Sequence, residues 1–323
     1  MLAVVLIVAL MASPPVWGEG EGGLKGASFV PQWVPQAQFV GYYVALDKGI
    51  YKKYGIDLKI ITGGPDNPPT SLLDNGTADF ASVWLSTAIN SRAHGQKLVN
   101  IAQIIRRTSQ MLVARKTSGI TTPQDLNGRK VSIWSGDSSI QGIAFIKKYN
   151  LTVKIVTQSP TVNLFMRGAV DAASAMLYNE YHTMLNSGLD PDELMKFSFY
   201  EHGVNFPEDG LYVSEEKFAA DPALCCAFAR ASIEGWLYAF AHPDEAIDIV
   251  MKYMLRAHVP SNTAHQRWML DKMRDLIIPD NDTADIGILR QEDYQRTAAE
   301  LKATGLIETI PEFNSFYKNC VKK

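Results

Sequence analysis

Short runs rich in Val, Ile, Phe and Trp alternate with amphipathic stretches over the first two thirds of the chain. That order predicts an α/β protein. GASFVPQ, residues 26–32, reads as a first strand. AQFVGYYVALDKGIYKKYG reads as a helix closed at Gly55, where a residue without Cβ suits a left-handed cap. IDLKIIT alternates apolar and polar positions, the signature of a half-buried strand. A short helix at PPTSLLDNG, a strand at ADFASVW and a helix at STAINSRAHG follow, then two more strands at NIAQIIRR and SQMLVAR.

At TTPQDLNGRKVSIWSGD the pattern begins again. A short helix and the Asn127-Gly128 turn lead into the strand KVSIW and the helix SIQGIAFIKKYN. VKIVTQ, TVNLFMRG and DAASAML continue as strand, helix and strand, and NEYHTMLNSG is the next helix. Beyond FPEDGLYVSEE the chain reads as almost wholly helical, over 221–241, 243–256, 262–276 and 290–304. We therefore expect two α/β lobes, one built from 25–115 plus 209–323 and the other, 116–208, inserted into it. Crossings near 112–117 and 207–213 would form a hinge, and the cleft between two lobes is a usual seat for a small molecule.

Composition changes this picture only at the edges. A chain of 323 residues with 46% hydrophobic and 20% charged content can build two cores. Its net charge of −3 leaves no basic excess for neutralising phosphates, which excludes nucleic acid as the expected partner. Residues 1–18, MLAVVLIVALMASPPVWG, carry an apolar run too short to span a bilayer, followed by the small residues Val16 and Gly18. We read a signal peptide cut near Gly18 and a periplasmic protein, with a buried N-terminal strand as the alternative. The six histidines are scattered singly and nothing has metal-ligand spacing, so neither metal nor cofactor is expected. Cys225, Cys226 and Cys320 are expected to be small buried thiols; an exported compartment would also permit Cys320 to pair with one of its two candidates.

Candidate chemistry concentrates in FVPQWVPQAQFVGYYVA, residues 29–45. It is uncharged, yet sets Trp33, Phe39, Tyr42 and Tyr43 beside Gln32, Gln36 and Gln38. Indole and phenol rings offer flat apolar faces with a polar handle, and an amide both donates and accepts. At a strand-to-helix junction such residues describe a slot for a planar, uncharged, hydrogen-bonding ring. Core packing is the plainer role for any one of the aromatics.

The segment WVPQAQFVGYYVALDKGIYKKYGIDLKI resembles the opening of periplasmic substrate-binding proteins related to thiamine-pyrimidine carriers and thiamine-pyrimidine synthases. The positions carrying the likeness are Trp33, Pro35, Gly41, Tyr43, Ala45, Gly49, Tyr51, Gly55 and Asp57. Gln36 and Phe39 depart from the Asn and His of the family pattern. The resemblance covers nearly all of the expected mature chain. It implies a two-lobed periplasmic-binding-protein fold of type II, no catalytic residues, an ABC permease as membrane partner and a monomeric carrier closing on a small-molecule ligand. It further implies ligand contacts from Trp33, Gln36, Gln38, Phe39 and Tyr42, then Trp84 and Ser86 of the first lobe. From the second lobe come Trp134, Ser135 and Gly136, then Tyr178, Asn179 and Glu180; Glu208 and Asp209 lie at the second crossing. The related synthases consume a histidine and use a cysteine cluster. Here Ser86 or Thr87 and the segment NFPEDG occupy those positions, so synthase chemistry is not expected. The alternatives are a sensory domain reporting to a membrane receptor and an anion carrier of the sulfonate or nitrate type.

Overall fold

The structure is a computed structural model that describes residues 23–260 and 262–322; the expected leader, 1–18, lies outside the described residues. Ten strands form two mixed sheets: β1 (Lys25–Val30), β2 (Ile56–Ile60), β3 (Phe80–Trp84), β4 (Leu98–Gln103), β5 (Gln110–Arg115), β6 (Lys130–Ile133), β7 (Lys154–Thr157), β8 (Ala172–Met176), β9 (Leu194–Ser198) and β10 (Asp209–Ser214). The first sheet runs β2-β1-β3-β10-β4 and the second β7-β6-β8-β5-β9. In the first, β1 is parallel to β2 and β3 while β10 is antiparallel to β3 and β4. In the second, β6 is parallel to β7 and β8 while β5 is antiparallel to β8 and β9. The two lobes thus share one strand order. In each, the antiparallel member is the strand that has just crossed over from the other lobe.

This arrangement shifts the first crossing from its expected place. The sequence reading puts β5 in the first lobe, whereas it is a strand of the second sheet, so the chain crosses at 104–109. QMLVAR is buried along nearly its whole length, and a strand covered on both faces reads identically in either sheet. The second crossing, 199–208, runs beside the first. Glu208 N donates to Ile105 O (3.2 Å), and both Ile104 N and Ile105 N donate to Asp209 O. Thr108 N donates to Asn205 Oδ1 at 2.8 Å, tying the two strands of the hinge together.

The helices that frame the cleft and its surroundings are α1 (Val40–Asp47), α2 (Leu85–Ala93), α3 (Ile140–Lys148), α4 (Glu180–Asn186), α5 (Pro222–Ala241), α6 (Pro243–Arg256), α7 (Thr263–Ile277) and α8 (Gln291–Ala303). The helix expected to run unbroken to Gly55 stops at Asp47, because Gly49 takes a φ of +69° that a continuing helix does not allow. α5 begins where its sequence says it should. Asp221 accepts from Leu224 N at 3.0 Å, and Pro222 follows in the first turn, where a missing N–H costs nothing. α5 lies on the first sheet through Phe228, which stacks on Phe80 with ring centres 4.0 Å apart.

The cysteines correct the expectation of three buried thiols. Cys226 and Cys320 are joined, with Cα atoms 4.5 Å apart, and Cys225 alone is a buried free thiol. Neighbouring helix positions diverge by about 100°, so Cys226 faces the C-terminal tail while Cys225 faces the core. The bond closes a loop with a sequence separation of 94. On chain-entropy grounds, replacing Cys226 and Cys320 by Ser should lower unfolding free energy by about 4 kcal/mol. Denaturant unfolding with and without reductant checks this; identical midpoints would show that the bond does not contribute.

Candidate functional site

The candidate residues leave the two sheets at equivalent points. Residues 31–39 follow the C-terminal end of β1, Trp84 ends β3, Trp134 follows β6, and Tyr178 to Glu180 follow β8. All four are parallel strands, and in open α/β sheets the crevice beyond the carboxyl ends of such strands is where ligands sit. Asp209 opens β10 opposite Trp84 in register, which brings the second crossing to the same edge. The loop bearing Trp33 rests on Gly63. A Cβ on that glycine would lie 1.9 Å from the Pro31 carbonyl oxygen and 2.9 Å from that of Trp33, so only glycine lets the two backbones approach.

Polar groups link these segments. Gln36 Nε2 donates to Gln38 Oε1 at 2.7 Å, and Gln38 Nε2 donates to Asp209 Oδ2 at 3.1 Å. Glu208 Oε1 accepts from Ser109 N (2.6 Å), Ser109 Oγ (2.9 Å) and Thr108 Oγ1 (3.3 Å). Glu180 accepts from Met176 N and from Asn179 Nδ2, each at 3.0 Å. All three carboxyls are buried, and the Tyr178 phenol sits within their combined field. Burial pushes Glu180 and Glu208 up to about 7. Asp209 is raised to about 8, first by burial and then by the charge of Glu208. Glu208 Oε2 and Asp209 Oδ1 have no hydrogen-bond partner among the described residues. A buried oxygen without a donor is costly, so this floor favours a solute that brings N–H or O–H groups.

The walls are aromatic. Trp33, Trp84 and Trp134 are each half-buried and pack against one hydrophobic cluster, which also takes in Met176 and Tyr178 from the second lobe. Trp84 Nε1 and Gln32 Oε1 are sealed from solvent without a partner among the described residues. Other expected contacts fall elsewhere. Phe39 and Tyr42 are fully buried; Tyr42 sets its ring against Phe29 (4.8 Å) and Trp236 (5.7 Å) and belongs to the core behind the wall. Ser86 is buried in the first turn of α2. Ser135 and Gly136 are exposed, in a turn where Gly136 takes a φ of +64° before α3.

Sequence reasoning missed the part played by α7. Gln266 Oε1 accepts from Ala37 N at 2.7 Å and the Met269 sulfur accepts from Gln38 N at 3.1 Å, so α7 shapes the 31–39 loop. The same helix reaches the second lobe. Trp268 Nε1 donates to Leu177 O (2.9 Å), and His265 Nε2 lies 3.0 Å from Asn179 Oδ1. His182 Nδ1 is 2.8 Å from His265 Nδ1, and the His182 ring stacks on Trp268. Asn179 Nδ2 already donates to Glu180, so its oxygen accepts from His265 Nε2–H. A neutral His265 then presents a bare Nδ1 toward His182 Nδ1, which also lies 3.2 Å from Asn186 Nδ2. Burial lowers both imidazoles, which favours these neutral forms. The two histidines look single in the sequence because 83 residues separate them.

A sequence model described as NMT1/THI5 like matches residues 36–246, well over half of the chain. The riboflavin-binding protein RibY of Chloroflexus aurantiacus is 24% identical over 92% of this chain and 86% of its own length. A formylaminopyrimidine-binding protein of Halalkalibacterium halodurans is 22% identical over 74% of each chain. Among solved structures, the periplasmic aliphatic sulphonate binding protein SsuA of Escherichia coli superposes with a TM-score of 0.70 at 18% identity, covering 90% of this chain and 91% of its own. The expected two-lobed periplasmic-binding-protein fold is the fold found.

Proposed function

The chain belongs to the NMT1/THI5-like family, and from that premise we propose that it is an exported solute-binding protein that carries a small planar heteroaromatic to an ABC permease. One observation carries the reading: three half-buried tryptophans pack against one cluster that also takes in Tyr178, and the buried Glu208 and Asp209, the latter opposite Trp84 in register, each keep an oxygen with no hydrogen-bond partner among the described residues. A flat ring with N–H or amino groups meets both needs at once. It stacks on Trp33, Trp84 or Trp134 and donates to Glu208 or Asp209, while Gln36 and Gln38 hold Asp209 in place. Riboflavin and formylaminopyrimidine, for which two relatives are named, are planar nitrogen heterocycles of this kind. The His182–His265 and Trp268–Leu177 contacts hold the lobes over the cleft, and release would require parting them. Binding without turnover is the activity proposed, with the protein acting as a monomer.

An oxyanion such as a sulfonate is disfavoured by the same floor, because Glu180, Glu208 and Asp209 would repel it once ionised. Calorimetry and thermal shift with aminopyrimidines, thiamine precursors and flavins, against taurine and nitrate, test the proposal. A bound ligand at a hundred times its Kd should stabilise the protein by about 2.7 kcal/mol. Trp33→Ala or Trp134→Ala should weaken binding roughly tenfold or more, since a stacked ring contributes about 1–3 kcal/mol. Stabilisation by taurine or nitrate alone would overturn the reading.

A further inference from the structure

A second recess lies on the crossings themselves. It encloses about 560 Å³ and draws its lining from both crossings and from the first lobe, sharing no residue with the cleft candidates. Four arginines converge there: Arg106 and Arg107 on the first crossing, Arg290 before α8 and Arg296 within it. Three of them have counter-ions. Arg107 meets Asp280 at 2.7 Å and covers the ring of Tyr200, Arg290 meets Asp285 at 2.9 Å, and Arg296 meets Asp293 at 3.2 Å.

Arg106 differs. Its guanidinium makes no ion pair and no side-chain hydrogen bond among the described residues, and Nη1 is sealed from solvent. The residue as a whole is half-buried, so the rest of its guanidinium stays within reach of the recess. Burial and the nearby charge of Arg290 both press its pKa below the usual guanidinium value, while Asp285 and Asp282 offset this only in part. Those two carboxylates are otherwise engaged: Asp285 with Arg290 and Lys322, Asp282 with the Ala284 N–H.

We infer that this recess is a binding site for a small oxyanion, a carboxylate or a tetrahedral oxyanion, anchored on the free guanidinium of Arg106. A guanidinium presents parallel N–H donors that match two oxygens of one such group. The preference is opposite in sign to that of the cleft, whose carboxyls select donors. An occupant here touches the segment 200–207 of the second crossing and the segment 279–296 of the first lobe, so it lies against the hinge.

Sulfate, inorganic phosphate and citrate are the probes, added to the full protein at constant ionic strength with chloride as reference. Calorimetry and thermal shift should show saturable binding of at least one of them, weakened tenfold or more in Arg106→Gln and retained in part in Arg106→Lys. Sulfate or phosphate alone would identify a tetrahedral oxyanion, citrate alone a carboxylate. Binding that is absent in the native protein, or equal in Arg106→Gln, overturns the inference. Should Arg106→Gln fail to fold, selenate soaked into crystals of the native protein decides: an anomalous peak at Arg106 supports the site and its absence refutes it. Failure of this site leaves the heteroaromatic reading of the cleft untouched, because that reading rests on other residues.

Discussion

Raising the pH from about 5 to about 8.5 should destabilise the ligand-free protein, with Tm falling on the order of 10 °C. The sign follows from Glu180, Glu208 and Asp209, which titrate near 7, 7 and 8 in the fold. In the unfolded chain carboxyls titrate near about 4. Between those limits the native state holds more protons than the unfolded one, so stability drops as pH rises. It is fully present below the unfolded range and is lost as pH passes through the folded values. Each unit of displacement corresponds to roughly 1.4 kcal/mol, so three such groups make this one of the largest effects available. Glu208→Gln and Asp209→Asn should each flatten the dependence, read from chemical unfolding at a series of pH values. The Gln and Asn side chains keep the shape and cannot ionise. A flat profile in the native protein, or one rising with pH, would contradict the buried carboxyl cluster. A donor-bearing ligand should also reduce the slope, since it supplies what the ionised oxygens lack.

Gly235→Val should unfold the first lobe or lower its stability by about 3 kcal/mol or more, beyond the usual cost of one extra methylene. α1 and α5 touch backbone to backbone at this point. A Cβ on Gly235 would lie 2.2 Å from the Gly41 carbonyl oxygen and 2.6 Å from Ala45 Cβ. The reciprocal position is as tight: a Cβ on Gly41 would enter the Trp236 ring at 2.3 Å. No rotamer relieves contacts made by Cβ itself, so the helices must separate. That movement would carry the α1 end of the 31–39 loop with it, so ligand binding should weaken along with stability. Gly26→Ala is the matched control, because a Cβ there meets nothing within 4 Å. It should stay within about 0.5 kcal/mol of the native protein. Equal thermal unfolding of the Gly235→Val and Gly26→Ala proteins would refute the close helix contact.

Much of the scaffold is legible in the chain itself. Alternation in IDLKI, the capped start of α5 and the glycine-closed turns each report a local preference, and each element forms where its residues place it. β9, LMKFS, is not among the strands read from the chain. Within the candidate site, the tryptophans and the glutamine pair are legible because unusual side chains cluster in one short segment. Phe39 and Tyr42 belong to the same cluster yet turn inward, and nothing in their spacing separates the face of a wall from its back.

The sequence by itself determined the α/β alternation, the family likeness and the uncharged aromatic stretch, because these depend on neighbours along the chain. Only the tertiary structure decided that β5 belongs to the second sheet, that Cys226 meets Cys320, and that His182 reaches His265. It alone gathered Glu180, Glu208 and Asp209 into one buried group and left Arg106 without a counter-ion among the described residues. The physical reason is the double crossing: it sets side chains far apart in sequence within a few ångströms. Burial and charge act on that distance and not on separation along the chain.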